Sequence, residues 1–188
     1  ATAGFTANWG AVAGANSYQL DVYKITNSVI ASQDFESVTT PTLPSEWQNT
    51  TKWETSTSNP ANGVNCLRSK ATAAGTEYIY MQPATYDVTT GTTIWRFNLR
   101  TGYAPSTNNN ARYYLMADST TLTSANGYAV GFNYSASDDL IKLWKSTTGT
   151  ASLLVASAQA VVTGTYYGIE VTRTSAGLWT LKTQVNGG

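Results

Sequence analysis

The chain contains no histidine, and that absence removes several chemistries together: a Ser-His-Asp triad, a Cys-His nucleophile pair and any histidine-ligated zinc or iron centre. It contains one cysteine, Cys66, so no internal disulfide can form and no thiolate cluster can hold a metal. Cys66 reads as a small buried hydrophobe in a strand around Val64, Cys66 and Leu67. Charge is scarce too: acids and bases number 11 each, charged residues make up 12% and the formal net charge is zero. Nothing in that balance supplies the positive field that nucleic acid or anionic lipid requires, so no nucleic-acid partner is expected. No apolar run reaches the roughly 18 residues needed for membrane insertion, and no charged-then-apolar leader opens the sequence. No glycine-rich phosphate loop joins a strand to a helix, which argues against nucleotide-dependent catalysis.

What the sequence does have is aromatic side chains on a polar background. Six Trp and twelve Tyr stand among abundant Thr, Ser, Ala, Gly and Asn. This fits a secreted or cell-surface β-protein, and 188 residues suffice for one large domain with a well-buried core. Period-two alternation recurs from end to end, and no stretch places apolar residues at helical spacing. Strands are predicted near 4–9, 17–25, 64–69, 76–82, 92–100, 111–118, 127–134, 139–146, 151–157, 165–173 and 177–185, separated by Gly, Asn, Asp or Ser clusters. In ARYYLMAD both faces are partly apolar, which predicts a strand in mid-sheet. In DLIKLWK, Ile141 and Leu143 oppose Lys142 and Trp144, which predicts one core face and one wetter face. Ser-Ala-Gly at 175–177 predicts a hairpin. The chain stops on Asn186-Gly187-Gly188, a turn signal with no returning strand, as in a fragment of a longer protein or a sheet completed from elsewhere.

Residues 37–62 carry three prolines and no clean alternation, and read as a long loop across the domain. Trp47 and Trp53 within it argue for order, either covering the core or forming part of a binding platform. Asn49-Thr50-Thr51 and Asn133-Tyr134-Ser135 match the glycosylation acceptor pattern, a motif short enough to arise by chance in such a chain.

The opening GFTANWGAVAGANSYQLDVYKI resembles the first half of a fibronectin type III domain of secreted bacterial multidomain proteins. That resemblance makes Trp9 a core residue and puts Tyr18 and Leu20 on the following strand. It covers about 25 residues and then fails, which leaves 1–27 as a partial fibronectin-like segment or linker strand. The following QDFESVTTPTLPSEW resembles the start of jelly-roll domains of the cleaved-adhesin type. TYYGIEVTRTSAGLWTLKTQVNGG is similar to the paired strands of laminin-G-like and concanavalin A-like sandwiches. The resemblance implies an all-β, two-layer antiparallel β-sandwich of the concanavalin A-like jelly-roll kind over 28–188, a fold that hosts lectins, adhesins, glycan-binding modules and glycanases alike.

Glycoside hydrolysis needs two carboxyl groups flanking the scissile bond. The Glu-x-Asp-x-x-Glu strand common in concanavalin A-like glucanases is missing, and Asp34 with Glu36 is the acidic i,i+2 pair that could share a strand face. Such a pair suits a structural calcium, whose hard cation takes carboxylate, Asn and carbonyl oxygens, and the resembled jelly rolls often hold calcium near the domain start. The plain alternative is two solvated surface acids. Asp138-Asp139 is a second candidate, more simply a turn. For sugar recognition, Trp144 beside Lys142 and Lys145 is the leading exposed platform, followed by Trp53 and Tyr103, with Asn108, Asn109 and Asn110 as hydrogen-bonding neighbours. Trp9, Trp95 and Trp179 sit in strong strand patterns and should be core. The reading is a non-catalytic extracellular module that binds carbohydrate or a cell-surface ligand and is linked to other domains. The alternatives are an adhesive spacer without a small ligand, and a glycoside hydrolase or polysaccharide lyase.

Overall fold

A computed structural model of the chain describes Gly10, Ala13 and residues 27–186. The strands expected at 4–9 and 17–25, with Trp9, Tyr18 and Leu20, lie outside the described residues. Those described form nine β-strands and one short 3-10 turn at Thr50–Lys52: β1 Trp53–Ser56, β2 Cys66–Ser69, β3 Thr93–Arg100, β4 Ala111–Ala117, β5 Gly127–Phe132, β6 Leu140–Thr147, β7 Thr150–Ala160, β8 Tyr166–Arg173 and β9 Trp179–Val185. Among the described residues no helix is long and apolar enough to cross a membrane. The strands build three antiparallel sheets: the β1–β2 hairpin, β3-β8-β9, and β4-β5-β6-β7.

Alternation decides how the larger sheets meet. In register, Trp95, Phe97 and Leu99 of β3 lie opposite Val171, Ile169 and Tyr167 of β8. In the other sheet Val130 and Phe132 of β5 lie opposite Leu143 and Ile141 of β6. These rows form one buried cluster with Val161, so the two sheets pack face to face in a sandwich-like arrangement. Trp95 and Trp179 are partly buried against this core, their rings 5.7 Å apart, and Tyr128 stacks on Trp179 at 4.5 Å. The hairpin expected at 175–177 is present, with Gly177 at φ 83° between β8 and β9.

Four expectations need correction. The strand at 111–118 is not in mid-sheet: β4 pairs with β5 alone and forms an edge. Its second face is apolar for another reason, because loops cover the outward side of this sheet. The same cover removes the wetter face predicted for DLIKLWK. Lys142, Trp144 and Ser146 are 8%, 1% and 0% exposed beneath segments 118–126 and 133–139. The loop 37–62 contains a short strand, β1, whose Thr55 is buried and holds the Thr42 carbonyl through its hydroxyl at 2.9 Å. The strand expected at 76–82 shrinks to an isolated bridge between Tyr80 and Gln48.

The β1–β2 hairpin comes near the outward face of the three-stranded sheet at one point. Cys66 of β2 is within electrostatic reach of Arg100 and Tyr166, which sit opposite each other on that face, and Asn98 on the same face has a buried carbonyl oxygen. Cys66 is half-buried, its thiol donating to the Ser56 carbonyl at 3.3 Å. Burial pushes that thiol above its ordinary value, against the pull of Arg68 and Arg100.

Candidate functional site

The residues singled out by sequence fall in three places. Trp144 is interior: its ring meets Tyr134 edge-on at 5.5 Å, so it cannot serve as a sugar platform and that expectation is overturned. The ring is sealed by a polar lid. Arg112 lies 4.3 Å from the centre of the Tyr134 ring, and the Tyr134 hydroxyl donates to the Gly149 carbonyl at 3.1 Å and lies 3.2 Å from that of Tyr114. Burial opposes ionisation of Tyr134, but hydrogen bonds from Ser146 and Tyr114 and the nearby Arg112 outweigh it and set the phenol below its ordinary value. Asn133, in the glycosylation-like motif, is 4% exposed with its amide on Asp139, so it offers no attachment point in the folded chain.

Tyr103 is 70% exposed on the β3–β4 loop. Its neighbours are partly spent on the loop itself: the Asn109 amide donates to the Ala104 carbonyl at 3.0 Å and that of Asn110 to the Thr107 carbonyl at 2.8 Å. Asn108 is exposed beside them.

The third place brings predicted residues together. Trp53, with Trp47, lines a shallow depression of about 430 Å3 completed by Pro41, Thr42, Leu43, Pro44, Ser45, Thr50, Thr51 and Lys70. Local bonding explains its shape. The Thr55 amide donates to the Pro41 carbonyl at 3.3 Å, which fastens the proline stretch to β1, and the Lys70 amide donates to the Lys52 carbonyl at 2.9 Å, which extends the hairpin to the rim. Both indole nitrogens are buried and have no partner among the described residues. Their N–H edges therefore point inward, and what the rings offer to the depression is hydrocarbon.

Asp34 and Glu36 stand behind this wall. Phe35, at φ 65°, packs on Trp47 with ring centres 5.7 Å apart. The turn that holds it is made by its flanking side chains: Asp34 Oδ1 accepts from the Glu36 amide at 3.0 Å, and Glu36 Oε1 accepts from the Val64 and Asn65 amides at 2.9 Å each. Asn65 returns its own amide to the Phe35 carbonyl at 3.0 Å. The acid pair thus positions an aromatic that supports Trp47, a role the spacing alone did not reveal. Among the described residues no group of three or more acidic or cysteine side chains is placed to hold a metal.

A second depression, of about 340 Å3, is lined by Val29, Ala31, Ser32, Gln33, Met81, Ile94 and Arg96. Its one charge is already spent, because Arg96 pairs with Glu170 at 2.7 Å, and Glu170 also accepts from Lys182 at 2.9 Å. No family model, curated protein or solved structure matches the chain. The functional reading therefore rests on the residues themselves. Sequence reasoning missed Lys70, Thr42, Ser45, Thr50 and Thr51. Asn-Thr-Thr-Lys-Trp, a run of hydrogen-bonding side chains beside an indole, was the available signal for the last two.

Proposed function

We propose that the chain is a non-catalytic extracellular binding module of concanavalin A-like jelly-roll type, which takes carbohydrate or another cell-surface ligand within a larger secreted protein. The observation that carries the proposal is the Trp47–Trp53 depression. Indole hydrocarbon flanked by the hydroxyls of Thr42, Ser45, Thr50 and Thr51 is the pairing of apolar face and polar fringe that a pyranose presents in complement. The bonding of Asp34 and Glu36 to backbone amides favours a supporting role for this pair over acid and base work on a glycosidic bond.

The test is a screen against plant, algal and host glycans followed by isothermal titration. Binding that Trp53→Ala weakens at least about tenfold, the loss of one aromatic stacking contact with its desolvation, supports the reading. No binding to any of them leaves a structural or adhesive spacer in its place.

The same proposal includes a structural calcium at Asp34 and Glu36, supported by the hard oxygens of two carboxylates in one turn. Because an ion bound only by the native state stabilises it, chelation should lower Tm by several degrees. An unchanged melt, with metal analysis confirming removal, eliminates the ion.

A further inference from the structure

We infer that the Trp47–Trp53 depression selects an acidic saccharide, a pyranose carrying a carboxylate or a sulfate ester, over a neutral one. This rests on the binding-module reading and goes beyond it. The lining of the depression includes a single ionisable residue, Lys70, and no Asp or Glu. Lys52 is on the adjoining chain segment: the Lys70 amide donates to the Lys52 carbonyl at 2.9 Å, one step beyond the Trp53–Ser69 pair at the open end of the β1–β2 hairpin. Both lysines are exposed, and neither forms a salt bridge among the described residues, whereas Arg96, Lys142 and Lys182 do.

Two exposed cations carried on hydrogen-bonded chain segments at one hairpin end make a place where an anion is favoured. Glu46 and Glu54 adjoin the indoles in sequence but do not line the depression, so the ionisable lining is positive where a sugar ring would rest. The two features call for different parts of one ligand. The hydrocarbon face of the ring covers indole, and the anionic substituent reaches the ammonium groups.

The test uses three tetrasaccharides titrated into the full chain: a galacturonate oligomer, its carboxyl-reduced neutral counterpart and a sulfated galactose oligomer. At least one anionic probe should bind about fivefold tighter than the neutral one, the scale of one solvent-exposed ion pair. The probe showing the preference identifies the anion as carboxylate or sulfate. In a Lys52→Gln, Lys70→Gln variant with an unchanged circular dichroism spectrum the ratio of anionic to neutral affinity should fall to about one. Trp53→Ala should weaken all binding. Equal Trp53-dependent affinity for the three sugars, or a preference that survives the double lysine change, overturns the charge selection and leaves the binding module standing. Absence of binding by all three overturns the charge selection, while the module itself falls only if the wider glycan screen is also empty.

Discussion

Lys142 is the one buried charged side chain among the described residues, and its ammonium is held by Asp138 across one turn of loop. That hydrogen bond, more than any other contact, keeps the Asp138 carboxyl below its ordinary value of 3.8. A folded-state value lower than the unfolded one gives a contribution that is complete above the ordinary value and is lost as pH falls through the depressed one. Asp138→Asn is therefore expected to destabilise the chain near neutrality by about 1 kcal/mol, a figure discounted because Asp138 is itself 43% exposed. The variant should also lose less stability than the parent on acidification from about pH 5 to about pH 2, measured by thermal melts across that range. Equal acid sensitivity would contradict the assignment. Trp144 gives the larger effect: truncating a ring that is 1% exposed to alanine is expected to cost about 3–5 kcal/mol in chemical denaturation. Its partition with Lys142 away from Ile141 and Leu143 was legible from alternation. Its burial was not, because the cover comes from Tyr134 and Ala125 on loops whose path the strand pattern does not encode.

The β6–β7 connection shows how an element and its cover depend on one residue. Thr147 and Thr150 close a two-residue turn in which Thr148 and Gly149 both have positive φ, at 47° and 79°, the geometry that matches the twist of a tight hairpin. A β-carbon on Gly149 would also run into the carbonyl of Thr123, in the segment that covers Trp144. Gly149→Ala is expected to lower stability by more than about 1 kcal/mol, with unfolding of the covering segment read from increased hydrogen exchange at 121–126. At the outer side of the same sheet β7 runs eleven residues without charge or proline, pairs only with β6, and exposes Leu153 at 55% and Leu154 at 41%. Long, uncharged edges of this kind template further pairing. Concentration-dependent light scattering should be reduced by Leu154→Lys, and identical scattering would show that this edge is protected by other means.

Across the whole molecule, the sequence was most informative where strands face a single interior. Alternation placed β3, β5, β6, β8 and β9 and made the protein all-β, because residues such as Phe97, Val130 and Ile169 repeat on one side of their strands. It failed at β1, four residues in a Thr- and Pro-rich run, and at 76–82, where alternation was present but only Tyr80 found a partner strand position. The candidate site followed the same division. Trp53 was visible as an indole in a loop, but the depression exists because the hairpin carries Lys70 back beside it and Phe35 supports Trp47, contacts made by residues 12 to 17 positions away from the indoles they serve. The most direct measurement of the account is a crystal structure of the chain soaked with the tightest-binding oligosaccharide. The expected result is a sugar ring stacked against Trp53 with its substituents reaching Thr50, Thr51 and Lys70, and a sugar seated at Tyr103, or anywhere else on the surface, would contradict it.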